Sequence, residues 1–320
     1  MRALLTGVSS FTGTWIATAL VEAGFEVCAL HRRPLAAYPP LPQRRLERLA
    51  GRVELVELAT LAGPEAAALV ETLRPDLLCL HGAEVADHRS PAFDVAAALA
   101  RSCEGIAALL DRLAVAGGRA VLVTGSIFEA DEGRGEAPLR AFNPYGLAKT
   151  LAWHSIRFEA ERRGLTLGKL TIAHPVGPLD KPGLVTDLLG AWRRGEPAFV
   201  RRPHLVRDFV AVDALAAAYA RTARRLLEES RPLRIVPSLW PESVGAFAGR
   251  LAAAFRPRLG FDCAIRFADP PEPTDEPPVR VGLDPITGLV PGWDEARFWD
   301  AVAADLEPAA SGERLAPSLN

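Results

Sequence analysis

Arg2-Ala3-Leu4-Leu5-Thr6-Gly7-Val8-Ser9-Ser10-Phe11-Thr12-Gly13 stands at the head of the chain. Ala3–Thr6 reads as a short buried strand and Phe11–Ala23 as the helix after it. Gly7 permits the tight turn between them, and Gly13 lets the helix approach the strand. A helix that begins so soon after a strand presents free N–H groups and a positive dipole end, a setting for pyrophosphate. Ser9, Ser10, Phe11 and Thr12 line that path. Ser10 takes the middle place of a Gly-x-x-Gly-x-x-Gly pattern; its hydroxyl still donates to phosphate but tightens the space. The plain alternative is an ordinary strand-to-helix turn.

The same alternation repeats outward from this stretch. Glu26–Leu30, Val53–Leu58, Leu77–Leu80, Ala120–Thr124 and Leu167–Ala173 read as strands, each a nearly continuous apolar run. Helical patterns lie near Gly63–Leu73, Pro91–Ala116 and Pro144–Arg163. Repeated strand–helix units predict an α/β fold, a Rossmann-like doubly wound parallel sheet with helices on both faces. After about Gly177 the texture changes. Pro178, Pro182, Gly183, Pro197 and Pro203 cut the chain into shorter elements, and Val212–Leu227 and Glu242–Phe255 read as helices. Pro270-Pro271 through Pro277-Pro278 is a proline-rich acidic connector. The expected organisation is a dinucleotide-binding domain over residues 1–177, with later segments returning to it. A smaller substrate-binding cap is expected mainly over 178–307, and a flexible tail over 308–320.

Composition narrows the classes. With 49% hydrophobic and 24% charged residues, 320 residues can bury a full core. The net charge of −2, with no basic block or acidic tail, argues against nucleic acid or a membrane as partner. Cys28, Cys79, Cys103 and Cys263 are scattered and mostly in apolar runs; they read as reduced core residues, with no disulfide frame and no metal site. A strand starting at the third residue leaves no room for a signal peptide. No apolar run reaches about 18 residues. The expected compartment is the cytoplasm.

The end of the second strand discriminates the ribose of a dinucleotide. A carboxylate there accepts from the 2′-hydroxyl and disfavours a 2′-phosphate. Here Val27-Cys28-Ala29-Leu30 runs into His31-Arg32-Arg33, with no carboxylate. Two guanidiniums match a 2′-phosphate in charge and geometry, so NADP(H) is favoured and NAD(H) remains possible. Alternatively, Arg32 and Arg33 are solvated surface charges. Glu57, ending the third strand beside Leu58, is a candidate to accept from the adenine amino group.

Asn143-Pro144-Tyr145-Gly146-Leu147-Ala148-Lys149 carries the chemistry. Of 37 basic residues only Lys149, Lys169 and Lys181 are lysines, and Tyr145 is one of three tyrosines. A helix sets residues i and i+4 on one face, where an ammonium lowers a phenol's pKa toward neutrality. An exposed surface pair is the alternative. Thr124, at the C-terminal end of the fifth strand, is positioned to bond a substrate oxygen while Tyr145 exchanges its proton. Ser126 is the second hydroxyl candidate.

Taken together, Thr6-Gly7…Gly13, Thr124…Phe128, Pro144-Tyr145…Lys149, His174-Pro175-Val176-Gly177-Pro178 and Arg207-Asp208-Phe209-Val210-Ala211-Val212-Asp213 resemble an extended short-chain dehydrogenase/reductase. The similar group is the NAD(P)-dependent nucleotide-sugar epimerases, dehydratases and keto-reductases. The opening through His31-Arg32-Arg33 most resembles its NADP-using GDP-mannose dehydratase branch. The resemblance implies catalytic roles for Thr124, Tyr145 and Lys149, and a cofactor site that includes His81 after the fourth strand. It also implies that Arg207 reaches a substrate diphosphate; beside Arg201 and Arg202 it forms a cationic cluster suited to an anion.

The departures from the family pattern bear on the reaction. His174 stands where the family usually has a substrate-contacting Asn, either donating to substrate or simply packed. Ser102 replaces another Asn, and His81-Gly82-Ala83 a more usual small-residue pair. Gly125 and Ser126 replace the acidic pair of the dehydratases, which disfavours elimination. The expectation is 4-epimerisation or keto-sugar reduction on a nucleoside-diphosphate sugar or related polyol. Reduction of a non-nucleotide carbonyl is the alternative; a non-catalytic cofactor-binding protein is the third. Family members often pair through two long helices, so the alanine-rich segments Pro91–Ala116 and Pro144–Arg163 predict a homodimer.

Overall fold

The computed structural model describes residues 1–83, 90–260 and 262–306. The expected tail over 308–320 lies outside them. The chain alternates β1 (Arg2–Leu5), α1 (Phe11–Glu22), β2 (Glu26–His31), α2 (Pro40–Glu47), β3 (Glu54–Glu57), α3 (Pro64–Leu73) and β4 (Leu77–Leu80). Then come α4 (Val95–Cys103), α5 (Ile106–Val115), β5 (Ala120–Ser126), the short β6 (Arg134–Gly135), α6 (Pro144–Glu161) and β7 (Thr166–Ile172). Next are β8 (His174–Val176), α7 (Leu184–Arg193), β9 (Ala198–Val200), β10 (Val206–Ala211), α8 (Val212–Glu229) and β11 (Leu233–Ile235). The last are β12 (Pro237–Ser238), β13 (Trp240–Ser243), α9 (Val244–Leu259), β14 (Ile265–Phe267), β15 (Val279–Val281), β16 (Asp284–Pro285), α10 (Ile286–Leu289) and α11 (Glu295–Leu306).

Seven parallel strands form the main sheet, in the order β11-β7-β5-β4-β1-β2-β3. The order reverses between β1 and β4, so a crevice opens there at the C-terminal strand ends. Alternate residues explain why the strands read as continuous apolar runs. Ala3, Leu5, Leu77, Cys79, Ala120 and Leu122 join the core under α1 and α8. Leu4, Leu78, Leu80, Val121 and Val123 join the opposite core under α3, α5 and α6. Both faces are thus sealed from water, as parallel sheets require.

The segment after β7 builds smaller sheets around β10, which pairs with β8, β13 and β15, while β11 returns to the main sheet. Its aromatics anchor it: Phe209 stacks on Phe247 at 3.7 Å, and Trp240 on Trp299 at 5.0 Å. The predicted strands sit within a residue or two of the observed ones.

The single helix expected over Pro91–Ala116 is instead two, α4 and α5, broken at Glu104-Gly105. Gly105 adopts φ 73°, and a Cβ there would lie 2.5 Å from Ala62 Cα, so neither conformation nor space admits a side chain. Alanine-rich stretches on both sides of Gly105 mask the break in the sequence.

Candidate active site

β1 ends in Gly7, whose φ of 74° turns the chain into α1. A Cβ at Gly7 would lie 2.7 Å from Gly82, the residue two after β4's end in the neighbouring strand connection, and one at Gly13 would lie 2.3 Å from the Gly7 carbonyl oxygen. Ser10 caps the helix, its Oγ accepting from Gly13 N at 3.0 Å. The amino end of α1 therefore opens on the switch point between β1 and β4. Buried Arg45 on α2 braces this loop: its guanidinium donates to Leu179 O at 2.7 Å and reaches Ser9 O at 3.5 Å.

A groove crosses these strand ends. Leu30, Arg32 and Leu58–Leu61 line one side, Thr6, Gly7 and Gly82 the middle, and Thr124, Glu129 and Lys149 the other side. Ser102, Ile106 and Trp153 contribute from the helices above. A dinucleotide suits this shape: the Gly7 turn into α1 sits at the centre and a cation on the β2 side. Of His31, Arg32 and Arg33, Arg32 lines the groove. Arg33 lies over the Tyr38 ring at 5.3 Å, and Tyr38 Oη accepts from Arg32 N at 3.0 Å. The buried His31 ring is held at the Arg33 carbonyl, 2.8 Å from Nδ1, and shapes the turn. Leu58 lines the groove; Glu57 is exposed at the end of β3.

His81 links the two sides of the crevice. Its Nε2 lies 3.0 Å from Ser10 Oγ and 3.1 Å from Thr12 Oγ1, and its Nδ1 lies 3.0 Å from Thr124 Oγ1. Thr6 Oγ1 accepts from the backbone N–H groups of His81 and Gly82 at 2.9 and 2.8 Å. Burial, and then the charge of Lys149, push the His81 imidazolium down to about 3, so the ring is neutral at ordinary pH.

The two hydroxyls on β5 have different partners. Thr124 is buried, with His81 on one side and Tyr219 Oη at 3.4 Å on the other. Ser126 hydrogen-bonds the Tyr145 phenol. Asn143 caps α6 by accepting from Gly146 N at 2.9 Å and sets Tyr145 in the first turn. Lys149, one turn on, donates to the Thr124 carbonyl at 2.7 Å.

The expected lowering of the phenol by Lys149 is not found. Burial, and then the Glu129 carboxylate, push Tyr145 up to about 12, against the Ser126 hydrogen bond. Burial lowers Lys149. The edge-on rings of Phe93 and Phe128 flank Tyr145 at 5.9 and 6.4 Å.

His174 packs between Phe128 and Phe209, each 5.8 Å away. Arg207 is buried and reads differently from the open cationic cluster the sequence suggests. It pairs with Glu276 at 2.8 Å and donates to the Pro277 carbonyl at 2.9 Å. Arg201 and Arg202 pair with Glu272 and Glu276 at 3.8 and 3.6 Å. The acidic proline-rich connector thus lies along all three arginines; the signal for that pairing is the two opposite charge runs in the sequence.

Sequence reading also passes over Glu129 and Lys169, which form a buried ion pair beneath β5. Among the described residues, no group of His, Cys, Asp and Glu is placed to hold a metal ion, and no helix is long and apolar enough to cross a membrane.

A Rossmann-like sheet with a helix-capped groove at its switch point, and a Tyr-x-x-x-Lys helix beside it, defines a nicotinamide-dinucleotide enzyme of the extended short-chain dehydrogenase/reductase class. Residues 3–234 match the NAD dependent epimerase/dehydratase family, and the chain belongs to it. No curated protein matches it in sequence. Among solved structures, the fold is similar to a UDP-glucose 4-epimerase from Thermotoga maritima with UDP-glucose, at TM-score 0.73 and 18% identity over 95% of this chain and 98% of that one. A UDP-glucuronic acid 4-epimerase from Bacillus cereus with UDP-glucuronic acid and NAD gives 0.72 and 14%, over 95% and 98%. A UDP-glucose 4-epimerase from Thermus thermophilus with NAD gives 0.70 and 20%, over 97% and 100%.

His81 makes the stability of the protein acid-sensitive. Unfolded, the imidazole titrates near 6.5, so its contribution is complete above that pH and is lost as pH falls toward 3. One such proton costs up to about 1.4 kcal/mol per pH unit in that window. In urea denaturation, His81→Gln is expected to lose less stability than the parent between about pH 7 and pH 5; an equal loss would contradict the burial of a neutral ring.

Proposed function

We propose that the protein catalyses 4-epimerisation of a nucleoside-diphosphate sugar with an NADP(H)-type cofactor in the strand-end groove. The carrying observation is the juxtaposition of Tyr145, Ser126 and Lys149 at the open end of β5. A nicotinamide dinucleotide bound there supplies a hydride acceptor and donor. Tyr145 would take the proton of the sugar 4-hydroxyl and return it. Ser126 bonds the phenol, and Thr124, facing the groove from the same strand, is the second hydroxyl available to the substrate oxygen. Lys149 is fixed by the Thr124 carbonyl, one helical turn from Tyr145, where its charge favours a phenolate against the effect of burial.

Support for a nucleoside-diphosphate sugar comes from the UDP-sugars named with the similar structures. In this chain Arg207 is the diphosphate candidate, with Glu276 as the partner a diphosphate would displace. His174 faces the aromatic wall beside Tyr145 and is the substrate-contacting candidate there. Arg32, with no carboxylate ending β2, supports NADP(H) over the NAD of the similar structures. It also favours a second reading, keto-sugar reduction with exchangeable NADPH.

A homodimer is supported by the apolar surface of α6. Leu147, Leu151 and Phe158 are 44%, 38% and 59% exposed, and Val115 at the end of α5 is 80% exposed.

Tyr145→Phe is expected to lower kcat at least about 100-fold in interconversion of UDP-glucose and UDP-galactose or their uronic and N-acetyl analogues, with cofactor binding retained. Full activity in that variant would end the catalytic reading. In fluorescence titration, Arg32→Ala is expected to weaken NADPH by about tenfold and leave NADH nearly unchanged; equal losses would remove the basis for NADP selectivity. Light scattering at micromolar concentration is expected to give a dimer for the parent and a monomer for Leu151→Arg. A monomeric parent would contradict the pairing.

A further inference from the structure

Glu129 and Lys169 meet directly beneath the strand end that carries Ser126. Lys169 Nζ lies 2.5 Å from Glu129 Oε2 and 2.6 Å from Glu132 Oε1, and each of the three residues is 1% exposed. Ions so far from water need further polar contacts to be held there. Thr171 Oγ1 donates to Glu132 Oε2 at 2.8 Å, and Arg234 on β11 reaches Glu132 Oε1 at 2.9 Å. The Trp153 ring lies 4.7 Å from the ammonium.

The two carboxylates differ in what else they hold. Glu132 spends its second oxygen on Thr171. Glu129 uses its second oxygen, Oε1, to accept from the backbone N–H of Ser126 at 2.7 Å. The pair packs so closely under β5 that a Cβ at Gly125 would lie 2.5 Å from Lys169 Cε and 3.2 Å from Glu129 Oε1. Gly125, between the two candidate hydroxyls, is therefore the residue that lets this ion pair approach. Glu129 also lines the groove with Thr124 and Lys149.

We propose that Glu129 is a positioning residue for the Tyr145–Lys149 pair: it fixes the Ser126 end of β5 beneath the phenol and supplies the negative charge those two groups face. This rests on the assignment of Tyr145 and Lys149 above. The charge acts on both at once. It disfavours the phenolate of Tyr145 and favours the ammonium of Lys149, opposing there the effects of burial and of Lys169. From β15, Arg280 donates to the backbone carbonyl of Glu129 at 3.2 Å, which leaves the carboxylate to Ser126 and Lys169. Among the described residues, Phe93 and Phe128 face Tyr145 with aromatic rings. Glu129 thereby favours the protonated phenol of Tyr145 and the charged ammonium of Lys149.

The test is a phenolate titration by absorbance after a rapid jump to alkaline pH, on the full chain. The sequence has three tyrosines, so subtracting the Tyr145→Phe trace isolates residue 145. Glu129→Gln is expected to move that transition down by about one pH unit, roughly a tenfold gain in phenolate at a fixed pH on the rising limb. Glu132→Gln, which takes the other carboxylate from Lys169, is expected to leave the transition in place. No shift in Glu129→Gln, or the same shift in both variants, overturns the proposal. Where Glu129→Gln does not fold, the Glu129→Gln/Lys169→Met double variant removes both ends of the ion pair and is expected to move the transition in the same direction by a smaller step, since the opposing ammonium leaves with the carboxylate; no shift there overturns the proposal. Turnover separates this from the assignment it rests on: an active Tyr145→Phe overturns that assignment whatever the titration gives.

Discussion

Lys169 carries a charge into the buried interior of a parallel sheet, and the site is arranged around its neutralisation. β7 pairs with β5 over seven residues, from Ala120 opposite Thr166 to Ser126 opposite Ile172. That register sets Lys169 opposite Val123, one residue short of Thr124. An unpaired ammonium there would cost several kcal/mol, so two carboxylates from the turn after β5 are drawn under the strand. The turn's path follows from them: Glu129 returns to the Ser126 amide, Glu132 to Thr171 and Arg234. α6 then starts from a turn whose position is already fixed, and Tyr145 lands beside Ser126.

The sheet is legible because both of its faces are covered. Strands buried on two sides carry little polarity, so Leu77–Leu80 and Ala120–Thr124 stand out as apolar runs, and βα alternation leaves few topologies. The glycine turn is equally legible, because backbone approach at Gly7 and Gly13 depends on residue type alone. The break between α4 and α5 is not, since the close approach of Gly105 to Ala62, in a distant segment, has no local sign. The family pattern places Tyr145, Lys149 and Thr124 on elements that converge, but it gives no view of their partners. Ser126, the second candidate by position, is the hydroxyl on the phenol, and Thr124 is tied to His81.

Charge pairing is the least legible feature. Lysine is rare in this chain, and Lys169 interrupts an apolar strand; those two facts together are the signal for a buried partner. The same holds for Arg207, whose acidic partner comes from a connector about seventy residues away in sequence. Such pairs are set by the tertiary fold and have no local spacing to read. Arg32 and Arg33 show the limit from the other side: adjacent and alike in sequence, they part in space, one to the groove and one to Tyr38.

The measurement that bears most directly on this reading is native mass spectrometry of the purified protein, followed by denaturation and absorbance of whatever is released. A groove that holds a nicotinamide dinucleotide through a closed cycle, taking a hydride and returning it to the same sugar, is expected to retain one equivalent of NADP or NAD. A protein that is empty and takes up neither NADPH nor NADH when each is added would contradict it.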